Sequence, residues 1–179
     1  MRGFTFIELL VVISILAITT MVSVVYYKDF SADQATKKAV GQVQSLIRLA
    51  QSNATSYTKC PDPGAADQSV KSWYLVFTNA TNIDLRCDTA STTNYTLRSY
   101  ILENVGLTIQ GDSGCPIGFS ATLSYRSGVG TQSISSSDIS VTPACLNSSR
   151  LTFTLSNQSN PSSSPIPFNV SKGGSINVQ

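Results

Sequence analysis

From Phe4 to Val25 the chain is apolar almost without a break, and one full charge, Glu8, stands inside the run. About 20 apolar residues are what a helix needs to cross the hydrocarbon core of a bilayer. The chain must therefore place its first stretch in lipid or against other subunits. A carboxylate inside such a span costs about 2.5–3.5 kcal/mol on insertion scales, which makes Glu8 a functional residue by default. It sits four residues into the run, roughly 6 Å of helix from Phe4. From there it can reach the headgroups, which lowers the cost.

Two ordinary readings of this stretch fail on particular residues. A cleavable secretory signal has an apolar region of about 7–15 residues ending at a small-residue site. This run is longer, no convincing A-x-A site follows it, and Glu8 does not belong in such a core. A plain signal anchor explains the length but neither Glu8 nor the order Arg2-Gly3-Phe4-Thr5.

That order carries a resemblance. The stretch MRGFTFIELLVVISILA resembles the N-terminus of type IV prepilins and type II secretion pseudopilins. Their pattern is a short basic leader ending in Gly, then Phe, Thr and, four residues after the Phe, Glu. Gly3, Phe4, Thr5 and Glu8 match it. The resemblance implies that a prepilin peptidase cuts between Gly3 and Phe4 and N-methylates Phe4. It implies that Glu8, with Thr5 beside it in the assembly motif, serves packing, and that Glu8 pairs with the Phe4 ammonium of a neighbouring subunit. The implied partners are the peptidase, other pilin or pseudopilin subunits, the inner membrane and an assembly platform. It also implies an N-terminus in the cytoplasm and a C-terminal domain outside it, then a filament in the periplasm or on the cell surface. Arg2 favours this direction weakly and Lys28 opposes it weakly.

The helix is expected to continue past the membrane. No proline occurs before Pro61. Ala32, Ala35, Ala39, Val43, Leu46, Ile47, Ala50, Ala54 and Tyr57 recur at three- and four-residue steps, an amphipathic stripe. Gly41 inside it marks a bend or a close contact. A helix from Thr5 to Tyr57 would be about 80 Å long. The expected divisions are a leader, 1–3; a transmembrane and assembly half, 4–27; an amphipathic half, 28–58; and an extracytoplasmic β-rich domain, 59–179.

After Cys60-Pro61-Asp62-Pro63-Gly64 the period changes to two. Strands are predicted at 73–78, 83–87, 94–102 and 107–110, one half-buried strand at 117–125, a return at 132–141 and another strand at 151–155. Ser156 to Pro167 is a low-complexity stretch read as unstructured. Ser171-Lys172-Gly173-Gly174 joins a closing hairpin. The fold class is α+β: a long N-terminal helix whose stripe packs on an antiparallel sheet, a pilin-like plan. More loosely, LIRLAQSNATSY, the YRSGVG segment and FNVSKGGSINV resemble the globular part of the GspH/FimT minor pseudopilins.

Four cysteines, Cys60, Cys87, Cys115 and Cys145, lie beyond the apolar run, and an extracytoplasmic setting favours two disulfides. Three pairings exist. Cys60 with Cys87 and Cys115 with Cys145 is preferred, because each pair brackets one stretch of predicted strands. Free buried thiols are the alternative. With no histidine and no close cysteine pair, a zinc site is not expected, nor any other metal or cofactor.

The absence of histidine also decides Gly111-Asp112-Ser113-Gly114. It looks like the surroundings of a serine nucleophile but lacks the base that would activate one, so no enzyme is expected. Charged residues are 12 % of the chain and the net charge is +2, too little to imply a partner. Lys59, Lys71, Arg86, Arg98, Arg126, Arg150 and Lys172 would have to converge to bind DNA. Some FimT-like proteins bind DNA through an arginine-bearing C-terminus, whereas this chain ends SKGGSINVQ, without arginine. The expected function is a structural filament subunit of a type IV pilus or a secretion pseudopilus. The other reading is a binding module at a filament tip, contacting DNA or a secreted substrate. Asn53, Asn79, Asn94, Asn147, Asn157 and Asn169 head sequons, which matter only where a glycosylating enzyme exists.

Overall fold

A long helix runs into a β domain made of two sheets. The structure, a computed structural model, describes residues 5–64, 69–111, 116–117, 119, 121–126, 132–135, 150–161, 163–171 and 174–178; residues 22–26, 116, 132–135 and 178 are described by backbone alone. The helix α1 spans Phe6–Thr55. At 1.5 Å per residue it is about 75 Å long. Thr5 caps its start, its hydroxyl accepting the Glu8 N–H at 3.4 Å, and Ser56 closes its end.

Burial on α1 begins at Ala32 and follows the expected stripe through Ala39, Val43, Leu46, Ile47, Ala50 and Ala54. Two details differ. Tyr57 was expected in the stripe but is exposed, because it has left the helix with φ at +50° and swings outward. Gly41 makes no close contact: a Cβ there would find no atom within 4 Å. The stripe is also wider than its repeat suggests. Val40 is buried, and so is Thr36, whose hydroxyl donates to the Ala32 carbonyl at 3.0 Å.

The width follows from two sheets packing against the helix where one was expected. The strands are β1 Val70–Phe77, β2 Asn82–Thr89, β3 Tyr95–Ile101, β4 Val105–Gln110, β5 Pro116–Ile117, β6 Ala121–Arg126, β7 Gln132–Ser135, β8 Arg150–Asn157, β9 Ile166–Ser171 and β10 Ile176–Val178. One sheet has the order β3-β2-β1-β6-β7 and the other β10-β9-β8-β4-β5. All the recorded pairings are antiparallel. The chain changes sheet three times, the last time between β7 and β8. After β3 it turns at Asn104, φ +57°, where a non-glycine residue accepts the left-handed conformation. It crosses back between β5 and β6.

That second crossing corrects the single strand expected over 117–125. Ile117 pairs with Ile109 in the second sheet, while Ala121 to Arg126 pair with β1 in the first. Ile117, Ala121, Leu123 and Tyr125 are all buried, so the alternation holds at both ends. Phe119, between them, is left exposed.

One core serves helix and both sheets. Trp73, Leu75 and Phe77 from β1 meet Phe153 from β8 and Phe168 from β9. The Phe77 and Phe153 rings lie 5.5 Å apart, tilted, and Phe153 stacks on Phe168 at 5.1 Å. Cys60 and Cys87 form a fully buried disulfide that ties the loop after the helix to β2. Cys115 and Cys145 lie outside the described residues.

The segment 156–167 is also corrected. β8 runs on to Asn157, and the asparagines fasten the loop to the helix. Buried Asn157 accepts N–H groups of Ser159 and Asn160 at 2.9 and 2.8 Å. Asn160 donates to Asp29 Oδ1 at 2.7 Å. Short polar side chains that usually mark loose chain here serve as local caps.

Candidate functional site

Before Ala32 no described side chain of α1 is buried by its own chain, although Asn160 reaches back to Asp29. Every described side chain from Thr5 to Phe30 is exposed, including Phe6 at 78 %, Ile7 at 69 % and Met21 at 77 %. Burying one such Leu, Ile or Phe fully contributes about 1.5–3 kcal/mol. An apolar rod of this kind requires lipid or other chains around it. Among the described residues no helix is long and apolar enough to cross a membrane.

The polar groups on the rod are mostly satisfied within it. Ser14 donates to the Leu10 carbonyl at 2.8 Å, Thr19 to Ile15 at 3.0 Å and Thr20 to Leu16 at 2.9 Å. Glu8 differs. Its backbone N–H donates to Thr5, but its carboxylate is exposed and makes no ion pair among the described residues. Near the helix N-terminus the negative charge is favourable by about 0.3–1 kcal/mol. Thr5 and Glu8 thus form one unit, a hydroxyl cap and, three residues on, a carboxylate with no ion pair among the described residues. Gly3 and Phe4 lie outside the described residues.

The β domain holds two polar clusters. Arg86 donates to Asp84 at 2.7 Å. Burial works against the Asp84 charge, yet hydrogen bonds from Ser99 and Arg86, with the Arg86 cation, hold its carboxyl below the usual carboxylate range. Tyr74 donates to Asp88 Oδ1 at 2.7 Å, with Asn94 Oδ1 at 3.0 Å. Burial, then the Asp88 hydrogen bond and charge, push the Tyr74 phenol above its ordinary value. Burial alone does the same to Tyr125. These groups brace a sheet and offer no nucleophile or base in a cavity. Among the described residues no three Cys, Asp or Glu side chains gather as a metal site needs.

The remaining expectations scatter. Of the seven cations, Arg86 is committed to Asp84 and Arg98 lies over the Tyr100 ring at 5.3 Å. Lys172 and the 112–114 part of the Gly-Asp-Ser-Gly turn lie outside the described residues. Asn157 and Asn169 are buried, and Asn147 lies outside the described residues. One feature had no sequence signal: a groove of about 190 Å³ between α1 and the β3–β4 turn, bordered by Ala35, Lys38, Ala39, Ile101 and Glu103. Its walls come from residues more than sixty positions apart, so no local pattern announces it.

Residues 1–24 match the family model described as the prokaryotic N-terminal methylation motif. The crystal structure of the type IV minor pilin FimU from Pseudomonas aeruginosa (strain PAO1) is similar at 13 % identity, covering 80 % of this chain and 91 % of that one, with a TM-score of 0.47. No curated protein matches the chain. The motif match bears on the helix start and agrees with the pattern read from Gly3, Phe4, Thr5 and Glu8.

Proposed function

We propose that this chain is a structural subunit, a pilin or minor pseudopilin, of a type IV pilus or a type II secretion pseudopilus. What supports the reading is one observation: an apolar helix half whose described side chains are exposed, headed by the methylation motif and carrying a carboxylate, Glu8, with no ion pair among the described residues. The precursor waits in the inner membrane with its leader, 1–3, in the cytoplasm. A prepilin peptidase cuts after Gly3 and methylates the new Phe4 amine. The assembly half, 4–27, then leaves lipid for the company of other subunits on the assembly platform. A carboxylate moved into such a core is penalised by several kcal/mol unless it is paired. Glu8 of the incoming subunit meets the Phe4 ammonium of its neighbour, and the pair sets the register while the apolar rod drives packing. The amphipathic half, 28–58, carries the domain of 59–179 to the filament surface.

Mass spectrometry of the mature N-terminus tests the processing step. The expected species begins with methylated Phe4. An intact Met1 in cells with an active peptidase contradicts it.

A further inference from the structure

The exposed apolar surface does not end with the rod. Phe30 is 63 % exposed, on the bare side of α1 just before burial begins. On the β domain, Ile101 at the end of edge strand β3 is 67 % exposed and forms one wall of the groove floored by Ala35 and Ala39. A single exposed apolar residue needs no account. Here a protruding ring and a groove with an apolar side, Ala35, Ala39 and Ile101, and a polar side, Lys38, Gln42, Glu103 and Asn104, occur on the same chain, and they face different ways. Phe30 and Ala39 are nine residues apart, about two and a half turns, so they lie on opposite sides of the helix.

We infer that Phe30 of one copy seats in the Ala35–Ala39–Ile101 groove of a second copy of this chain. The inference rests on the subunit reading above and names one contact within it. Size permits it: a cavity of about 150 Å³ holds a benzene ring, and this groove offers about 190 Å³. Charge also fits. Asp33 stands one turn beyond Phe30 and Lys38 stands on the groove's rim; both are exposed, and neither has an ion pair among the described residues. Seating Phe30 at the level of residues 35–39 shifts the copies by about 8–14 Å along the helix axis, which carries Asp33 to within reach of Lys38. Knob and groove are different patches, so the contact is head-to-tail, the kind that propagates into an open helical array rather than closing as a dimer. Lipid would cover Phe30 as well, but it gives the Ile101 groove no occupant.

The test uses the full-length chain in its own cells, with Phe30→Cys and Ile101→Cys combined, mild oxidation and a non-reducing gel of the sheared filament fraction. The wild-type chain is followed in the same fraction. The expected result is a ladder of dimers, trimers and longer species for the double variant and none for either single variant. Equal dimer from Phe30→Cys alone means a symmetric contact and overturns the inference. No ladder from a double variant that does enter filaments overturns it while leaving the subunit reading intact. The same holds if Phe30→Cys is shielded from a water-soluble maleimide only in the membrane fraction, which assigns lipid to that face. Absence of the wild-type chain from every filament removes the subunit reading, and this inference with it. A charge exchange is the second arm. Asp33→Lys and Lys38→Asp should each lower incorporation about two- to fivefold, the range of a surface pair, and the two together should restore it. Failure of the pair to restore overturns the charge contact.

Discussion

The side-chain amide of Asn157 on β8 donates to the main-chain carbonyl of Ala32 at 3.3 Å, across 125 residues of sequence. Ala32 is the first buried position among the described side chains of α1. The bond therefore sits where the free rod becomes the packed helix, and it joins the second sheet to that point. Asn157→Ala strips this bond and removes the acceptor of the Ser159 and Asn160 N–H groups. The expected loss is about 1–3 kcal/mol, read as a lowered midpoint in denaturant unfolding of the full chain in detergent. An unchanged midpoint contradicts the role given to Asn157.

The Cys60–Cys87 bridge spans a sequence separation of 27. In the chain-entropy model a loop of this size contributes about 3–4 kcal/mol. Replacing both cysteines by Ala should lower stability by about that amount, and reductant should then have little further effect through this bridge. Equal stability of the variant and the oxidised parent would show that the bridge adds nothing.

Asp84 gives the acid limit a sign. Its folded pKa is lowered, so its contribution is present above the unfolded value near 3.9 and is lost as pH falls through the folded value. Asp84→Asn should flatten the acid limb of a plot of Tm against pH while leaving its neutral limb parallel. The phenols act oppositely. The Tyr74 pKa is raised, so its contribution is present below about 10 and declines as pH climbs towards its folded value. Tyr74→Phe should flatten the alkaline limb.

Gly174 turns the closing hairpin with φ at +83°, and a Cβ there would collide with Gln51 Nε2 and lie 2.9 Å from its Cδ. Gly174→Ala meets two obstacles, a backbone region costing about 1–2 kcal/mol for an L-residue and the Gln51 side chain. Gln51→Ala removes only the second. In a double-mutant cycle, Gly174→Ala should cost less on the Gln51→Ala background, yet still about 1 kcal/mol or more. Full rescue would mean that the backbone contributes nothing.

Much of this fold was legible because local chemistry and tertiary outcome agree. The proline-free stretch ending before Pro61 and the stripe from Ala32 to Ala54 suffice for α1. Alternation suffices for β2, β6 and β8. What stayed hidden depends on partners distant in sequence. Ile117 and Ala121 both point inward, and no alternation can reveal that they belong to different sheets. Val40 and Thr36 are covered because a second sheet exists. Asn157 and Asn160 look like loose loop until Ala32 and Asp29 are brought beside them. The site divides the same way. The apolar rod and Glu8 follow from composition and spacing alone, whereas the groove at Ile101 exists only after β3 has folded against α1.

The central claim is that the Glu8 carboxylate serves assembly. Replacing it by valine leaves the rod apolar and its membrane insertion unimpaired. A buried partner charge left alone costs about 3–5 kcal/mol, more than a hundredfold in incorporation. The decisive measurement is the amount of Glu8→Val chain in sheared filaments relative to the membrane, beside the wild type. The expected result is a processed chain that stays in the membrane and is nearly absent from filaments. Incorporation at the wild-type level would contradict it.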